Sequence, residues 1–307
     1  MDRMSSPELE SFDVIVVGGS YAGMSAALQL ARARRRVLVV DSGRPRNRFA
    51  STSHGLLAHD GDDPAAILNK ARTQLLAYPT LRWVQCEVDS AVRRDGDEGR
   101  FHVRCSDGQE FEGQRLILAY GTVDDLPDIE GLDERWGITA FHCPYCHGYE
   151  AFGGRIAVLG CTLDEATQQA LMLTEWGEVT LVCQHASELD GDVVSELAER
   201  GVRIETVPVV KISDEATLHL ADGRTLQQSA IFLSPTSRLS CSLAQELGCE
   251  LEDEGCITTD SSKQTTVEGV FACGDAGRLA GNVSLAIGEG ALAGIAAHRS
   301  LWDAPDS

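Results

Sequence analysis

Hydrophobic and polar positions along the chain follow two periods. "FDVIVVGGSYAGMSAALQLARARRRVLVVDSG", residues 12 to 43, opens on a continuous apolar run, the pattern of a parallel strand buried on both faces. A glycine turn follows, then apolar residues at helical spacing from Met24 to Leu30, then a second apolar run, "RVLVVD", that ends in an acid. A second unit of this kind begins at "GGRIAVLGCTLDEATQQALMLTEWGEVTLVCQH", residues 153 to 185. Two strand–turn–helix–strand units about 140 residues apart predict an α/β protein with two nucleotide-type domains, not an array of short repeats.

"FHVRCSDGQEFEGQRLILAYGT" and "ATLHLADGRTLQQSAIFLSPT" also echo each other. Each reads as a strand, an Asp-Gly turn, a strand and then an apolar strand ending at a break. Near the end, "GVFACGDAG" and a Gly/Ala-rich helix return to the style of the first domain. The expected boundaries are 1–125 for the first part of one domain, 126–240 for the other, and 241–307 for the remainder of the first.

Composition narrows the function classes. The chain has 307 residues, enough for two medium domains or one large one, and its 30 glycines predict several tight turns or cofactor loops. A net charge of −21 argues against nucleic acid and against anionic membrane as partners, since both call for a basic patch. No apolar run approaches bilayer length, and the N-terminal stretch has no signal-peptide pattern, so a cytoplasmic protein is expected. In a reducing compartment the ten cysteines should mostly be thiols. Cys86, Cys105, Cys161, Cys183, Cys241, Cys249, Cys256 and Cys273 are scattered singly and read as small core residues. Only Cys143 and Cys146 form a tight pair.

Gly18, Gly19 and Gly23 follow the first strand, and Asp41 ends the second. A dinucleotide fingerprint places glycines where the backbone approaches a pyrophosphate at a helix N-terminus, with an acid about 20 residues later for a ribose. Ser20 stands at the middle glycine position, so the motif is imperfect; the strand, helix, second strand and acid around it carry the reading.

The pair in "AFHCPYCHGYE", residues 140 to 150, allows metal binding, redox chemistry or neither. Structural zinc usually takes two such pairs, or one pair with two well-spaced further ligands. There is no second CxxC, and His142 and His147 adjoin the cysteines too closely for all four to face one tetrahedral ion, so no metal site is expected. Redox chemistry fits better: a helix start favours a thiolate, the spacing allows the sulfurs to close, and Pro144 suits the turn into a first helical turn. His142 and His147 are candidate proton handlers, because histidine titrates near neutrality.

Taken in order, "VVGGSYAGMSAA", "RPRN", "LILAYGT", "CPYC" and "GVFACGDAG" resemble the two-dinucleotide-binding flavoproteins, and within them the low-molecular-weight thioredoxin reductases. The resemblance covers nearly the whole chain. It implies two Rossmann-like domains of three-layer β/β/α form, the first binding FAD, the second of NAD(P) type, and a homodimer. It further implies that Gly18, Gly19, Ser20 and Gly23 cradle the FAD pyrophosphate, with Asp41 and Ser42 near the adenosine ribose. Arg46, Asn47, Gly121 and Gly274 fall in cofactor-binding motifs, Asp275 would hold the ribityl chain, and the helix start at Val283 and Ser284 would point at the flavin. Cys143 would be the interchange thiol and Cys146 the sulfur facing the flavin. The resembled reductases carry Asp directly after the second cysteine; here it is His147.

The second glycine turn, "LGCTLDEAT", departs from a nicotinamide site. Gly160 alone remains; Cys161, Thr162 and Leu163 replace residues that need no side chain, and Asp164 and Glu165 bring negative charge to the helix start where a pyrophosphate would sit. "VCQHASELDGD" offers neither an arginine cluster for a 2′-phosphate nor an acid at the strand end for a ribose. The expectation is a domain that keeps the fold and has lost or weakened nicotinamide binding. "CPYCHGYE" with this eroded turn resembles the dithiol oxidases that close disulfides in natural products such as gliotoxin and holomycin. That implies a small-molecule dithiol substrate, with electrons passing to the Cys143–Cys146 disulfide, to FAD and to O2, giving H2O2. The competing expectation is a reductase of protein disulfides driven by NADPH or ferredoxin. "STSHGLLAHDGDDP" also looks like the oxidase subgroup, with His54 lining the flavin or substrate pocket or serving structure.

Overall fold

The apolar run after Phe12 forms a strand buried on both faces, and the same local pattern builds the strands at Val37–Val40, Ile156–Leu159 and Ala230–Leu233. A computed structural model describes residues 9–94, 100–160, 162–183, 189–278 and 281–302. In chain order the first strands are β1 (Glu10–Val17), β2 (Val37–Asp41), β3 (Leu81–Gln85), β4 (Val88–Arg93), β5 (Phe101–Cys105), β6 (Glu110–Leu118) and β7 (Thr122–Asp125). Next come β8 (Ala140–Phe141), β9 (Arg155–Leu159), β10 (Glu178–Val182), β11 (Arg203–Glu205) and β12 (Val209–Ser213). The last are β13 (Thr217–Leu220), β14 (Thr225–Gln227), β15 (Ala230–Leu233), β16 (Thr236–Leu239) and β17 (Val270–Ala272). The α-helices are α1 (Tyr21–Arg32), α2 (Pro64–Leu76), α3 (Pro144–His147), α4 (Leu163–Leu173), α5 (Gly191–Glu199), α6 (Leu243–Glu246) and α7 (Val283–Ser300). No helix among the described residues is long and apolar enough to cross a membrane.

The chain divides into two compact units: Met1–Arg46, Ala65–Val123 and Arg238–Ser307 form one, and Asn47–Pro64 and Asp124–Ser237 the other. Residues 47–64, expected in the first domain, group with the second unit. A contact explains this: Phe49 packs so closely on Gly137 that a Cβ there would lie 2.7 Å from Phe49 Cβ.

In the first unit the sheet order is β3-β2-β1-β6-β5-β4, with β17 also paired to β6. Strands β3, β2, β1, β6 and β17 run parallel, in register Val14↔Val37 and Val14↔Arg115, while β4, β5 and β6 are antiparallel neighbours. Alternate residues of β1 serve two cores, as strand geometry requires. Val14 and Val16 pack with Ala26 and Leu30 of α1 and Ala293 and Ala297 of α7. Ile15 and Val17 pack with Phe101, Val103 and Phe111 of the antiparallel layer. Each such fully buried branched side chain contributes about 1.5–3 kcal/mol of transfer free energy.

The second unit repeats the plan. Its parallel sheet runs β11-β10-β9-β15-β8, and β12-β13-β14 form an antiparallel sheet. Ile156 and Val158 pack with Ala166, Ala170 and Leu173 of α4, whereas Ala157 and Leu159 pack with Ile212, Leu218 and Leu220. The two Asp-Gly turns hold Gly108 at φ +85° and Gly223 at φ +87°, the left-handed conformation that glycine tolerates. The echoed segments then differ. In the first unit the hairpin strand and the buried strand are one element, β6. In the second they are separate, β14 and β15, because the intervening Ser229 turns its N–H to Arg155 O at 2.6 Å.

Candidate active site

The turn after β1 is built around an absence of side chains. Gly18 sits at φ +103°, and a Cβ there would lie 2.4 Å from Ala119 O. A Cβ on Gly23 would lie 1.8 Å from Gly18 O, so α1 can start this close to the turn only as glycine. The turn is held from β2: the Gly18 N–H donates to Val40 O at 2.8 Å, and the Gly19 N–H donates to Asp41 Oδ1 at 3.0 Å. Ser20 is the N-cap of α1, and its side chain makes no capping bond, which leaves the helix start to an anionic group. These residues fit a dinucleotide pyrophosphate. Ser42 follows Asp41 as an exposed residue.

Around Asp275 the same unit gathers charge. Asp275 Oδ2 accepts from Arg46 Nη1 at 3.0 Å, and a Cβ on Gly281 would lie 2.2 Å from Asp275 Oδ1. Asn282 caps α7 by accepting from the Leu285 N–H at 2.8 Å, which places Val283 and Ser284 in the first turn. Gly121 follows β6 at φ +71°, and its carbonyl accepts from the Ser240 N–H at 3.1 Å. Glu289, one turn further along α7, is buried and was not singled out from the sequence. Its carboxylate accepts from Lys263 Nζ at 2.7 Å, Arg278 Nε at 2.8 Å and the Gly274 N–H at 3.1 Å. It therefore anchors the loop that carries Asp275. The signal was "IGEGALAG", a lone acid between glycines in an apolar helix.

In the second unit, Cys143 and Cys146 are joined as a disulfide with a Cα–Cα separation of 5.3 Å. The pair follows β8 at the edge of the parallel sheet. Cys143 is the N-cap of α3, and its carbonyl accepts from the Cys146 N–H at 3.1 Å. α3 is a single turn, so its dipole gives only weak support to a thiolate at its start. His142 is fixed through its carbonyl, which accepts from Nε2 of the buried Gln169 on α4 at 2.7 Å. Gln169, too, was not singled out from the sequence.

His147 is the more constrained histidine. Its ring stacks on Phe141 at 4.2 Å and meets the His54 ring edge-on at 6.1 Å. Burial holds its pKa below the usual imidazole value; Glu150 works against that shift, and His54 adds to it. His54 Nε2 lies 3.4 Å from Glu150 Oε1 and 3.2 Å from Thr52 Oγ1, and its Nδ1 lies 3.6 Å from Asp60 Oδ1. Asn47 and His54, grouped in the sequence with the cofactor glycines, both belong to this second unit. Tyr145, between the two cysteines, and Tyr149 and Phe152, shortly after them in sequence, are exposed.

The second glycine turn carries its acids as the sequence places them. Thr162 is the N-cap of α4, Asp164 and Glu165 lie in the first turn, and the Thr162 hydroxyl donates to Glu165 Oε2 at 3.0 Å. Cys161 and residues 184–188, where the sequence lacks the arginines and the strand-end acid, lie outside the described residues.

Known proteins share this arrangement. The family model for pyridine nucleotide-disulphide oxidoreductases matches residues 12–290. The chain is 32% identical over 306 residues to thioredoxin reductase sirT of Leptosphaeria maculans, covering 92% of each protein. An oxidoreductase of solved structure from Agrobacterium tumefaciens is 49% identical, with a TM-score of 0.91 over 96% of this chain and 100% of that one. HlmI, also of solved structure, is 37% identical, with a TM-score of 0.89 over 95% of this chain and 93% of that one. The architecture is that of the low-molecular-weight thioredoxin reductases. Because the match runs from the first strand into the last helix, this chain belongs to the pyridine nucleotide-disulphide oxidoreductase family and is an FAD-binding thiol–disulfide oxidoreductase.

Proposed function

We propose that this protein is a dithiol oxidase that closes an intramolecular disulfide in a small-molecule natural product, working as a cytoplasmic homodimer. The observation that carries the reading is the acid-bearing start of α4, where a nicotinamide cofactor's phosphates would meet Asp164 and Glu165. The exposed Tyr145 ring between the two cysteines suits an apolar small molecule.

In the proposed half-reaction a substrate thiolate attacks Cys143 Sγ, breaking the Cys143–Cys146 bond and forming a mixed disulfide. Cys146 leaves as thiolate. The second substrate thiolate then attacks the substrate sulfur and releases Cys143, so the product carries the disulfide and the pair holds two electrons. His147, kept neutral by burial, accepts a substrate proton, and His142 is the second candidate for that role. FAD, when bound, supplies the two-electron acceptor that reoxidises the pair and passes the electrons to O2 as H2O2. Gly18, Gly19, Ser20, Gly23, Asp41, Ser42, Arg46, Asn47, Gly121, Gly274, Asp275, Val283 and Ser284 are the residues proposed to hold it.

The name of the Leptosphaeria relative supports a second reading, reduction of a protein disulfide by NADPH or ferredoxin. Anaerobic bleaching of the flavin absorbance separates the two. A small dithiol should bleach it, and air should restore the colour with release of peroxide. Rapid bleaching by micromolar NADPH would overturn the oxidase reading.

A further inference from the structure

Cys86, in the β3–β4 connection, and Cys105, at the end of β5, are 19 positions apart, and the sequence presents them as separate core residues. Folding brings them together. The two sulfurs and a carboxylate oxygen of Asp107 all lie within 4.8 Å of one another. Cys105 is buried, Cys86 is partly buried and Asp107 is exposed, so the trio opens to solvent on the carboxylate side.

We propose that Cys86, Cys105 and Asp107 form a site for a thiophilic divalent cation of the zinc class, in the first unit and apart from the redox disulfide. Two thiolates and one carboxylate suit a borderline-soft d10 ion and are a poor set for magnesium or calcium, which take oxygen ligands. Sulfurs bound to one tetrahedral zinc stand about 3.8 Å apart, since each Zn–S bond is about 2.3 Å. The present spacing therefore needs only small side-chain rotations.

The backbone around the trio is already fixed. The Ser106 N–H donates to Glu87 O at 2.9 Å, tying the two cysteine loops together. The Gly108 N–H donates to Cys105 O at 3.0 Å, which closes the Asp-Gly turn. Asp107 Oδ1 accepts from the Gln109 N–H at 3.0 Å and Oδ2 accepts from Gln109 Nε2 at 2.6 Å. Those bonds orient the carboxylate and leave each oxygen lone pairs for a metal. Binding releases two thiol protons to solvent, water completes the fourth position, and the ion cross-links the β3–β4 and β5–β6 connections.

The test uses the FAD-loaded enzyme with Cys143 and Cys146 oxidised to the disulfide, so that this pair cannot compete for metal. After equilibrium dialysis against zinc, elemental analysis should find about one zinc per protomer, accompanied by a rise in thermal midpoint. Cadmium in place of zinc should give the ultraviolet thiolate-to-metal charge-transfer band. Cys86→Ser should abolish the stoichiometric zinc and the band, and Asp107→Asn should weaken binding by at least ~10-fold. Both positions lie outside the deepest core, so the variants should fold and keep FAD. The proposal is overturned if the oxidised holoenzyme retains no stoichiometric zinc, or if zinc remains at full occupancy in Cys86→Ser. It is equally overturned if mass analysis of the resting enzyme finds Cys86 and Cys105 joined as a disulfide.

Discussion

Replacing Gly23 with alanine tests the cofactor cradle at its tightest point. The new Cβ would lie 1.8 Å from Gly18 O, 3.0 Å from Gly18 C and 3.3 Å from Val16 Cγ1. An ordinary carbon–oxygen contact is about 3.4 Å, so α1 and the turn must part by roughly 1.6 Å. The severe clash is with Gly18 backbone, and β1 is hydrogen-bonded on both sides, so no flexible side chain can absorb that shift. Overpacking of this kind costs about 1–3 kcal/mol of stability, and sometimes more. The larger loss should be in cofactor affinity, because the parting moves the turn amides away from the pyrophosphate. One charge-assisted hydrogen bond contributes about 1.5–3 kcal/mol, so losing one weakens FAD binding about 10- to 100-fold. The assay is the flavin-to-protein absorbance ratio after purification, with titration of apoprotein by FAD. Gly288→Ala is the internal control: it lies in the same fold, on the exposed side of α7, where a Cβ meets nothing within 4 Å. That change should stabilise by about 0.5–1 kcal/mol, since alanine outranks glycine inside a helix. If Gly23→Ala purified with full FAD and an unchanged thermal midpoint, the cradle would be misassigned.

Glu289→Ala should lower stability by ~3 kcal/mol, because it leaves the largely buried Lys263 unpaired and the Gly274 N–H without its acceptor; thermal unfolding reads this, and an unchanged midpoint would refute the anchor. His147 has a folded pKa below its unfolded value, so the unfolded chain takes up the proton first as pH falls. The histidine's contribution is therefore complete above about pH 6.5 and is lost as pH drops through the folded value; the wild type should lose thermal midpoint more steeply than His147→Gln across that window. Cys143→Ser and Cys146→Ser should each purify yellow, with FAD content unchanged, yet turn over no dithiol; retained turnover in either variant would remove the disulfide from the reaction.

The fold was legible because its signals are local. A continuous apolar run, a glycine turn and a 3.6-residue period each specify one element, whereas the register of β1 with β2 and β6 comes only from the structure, because a strand buried on both faces looks alike after a one-residue slip. The disulfide was legible for the same reason, since two residues of spacing suffice to close it. Glu289 and Gln169 were less visible, because their partners come from elsewhere in the chain: Lys263 and Gly274 for one, the His142 carbonyl for the other. His54 shows the same limit. Its own segment marks it as a pocket or structural residue, and only the fold sets it against Glu150 and His147, ninety-odd residues away.

The direction of electron flow rests on the start of α4. Acids in a first helical turn help the helix itself, by complementing its dipole. The same charges oppose a phosphate seeking that dipole. A pair of like unit charges 4 Å apart repel by about 1 kcal/mol in water and about 4 kcal/mol near a protein surface. Both acids are exposed, so the water-like figure applies, and about 1 kcal/mol for each corresponds to roughly a 10-fold or greater loss of nicotinamide affinity on the proposed reading. The first unit shows the contrast, since no acid occupies the first turn of α1, and its side-chain-free turn fits an anion. One cradle is thus fitted to a dinucleotide and the other carries charge against one, although both arise from the same strand–turn–helix plan. On the proposed oxidase reading these charges weaken the nicotinamide route, and electrons reach the Cys143–Cys146 pair from a small dithiol, which the anaerobic bleaching experiment tests.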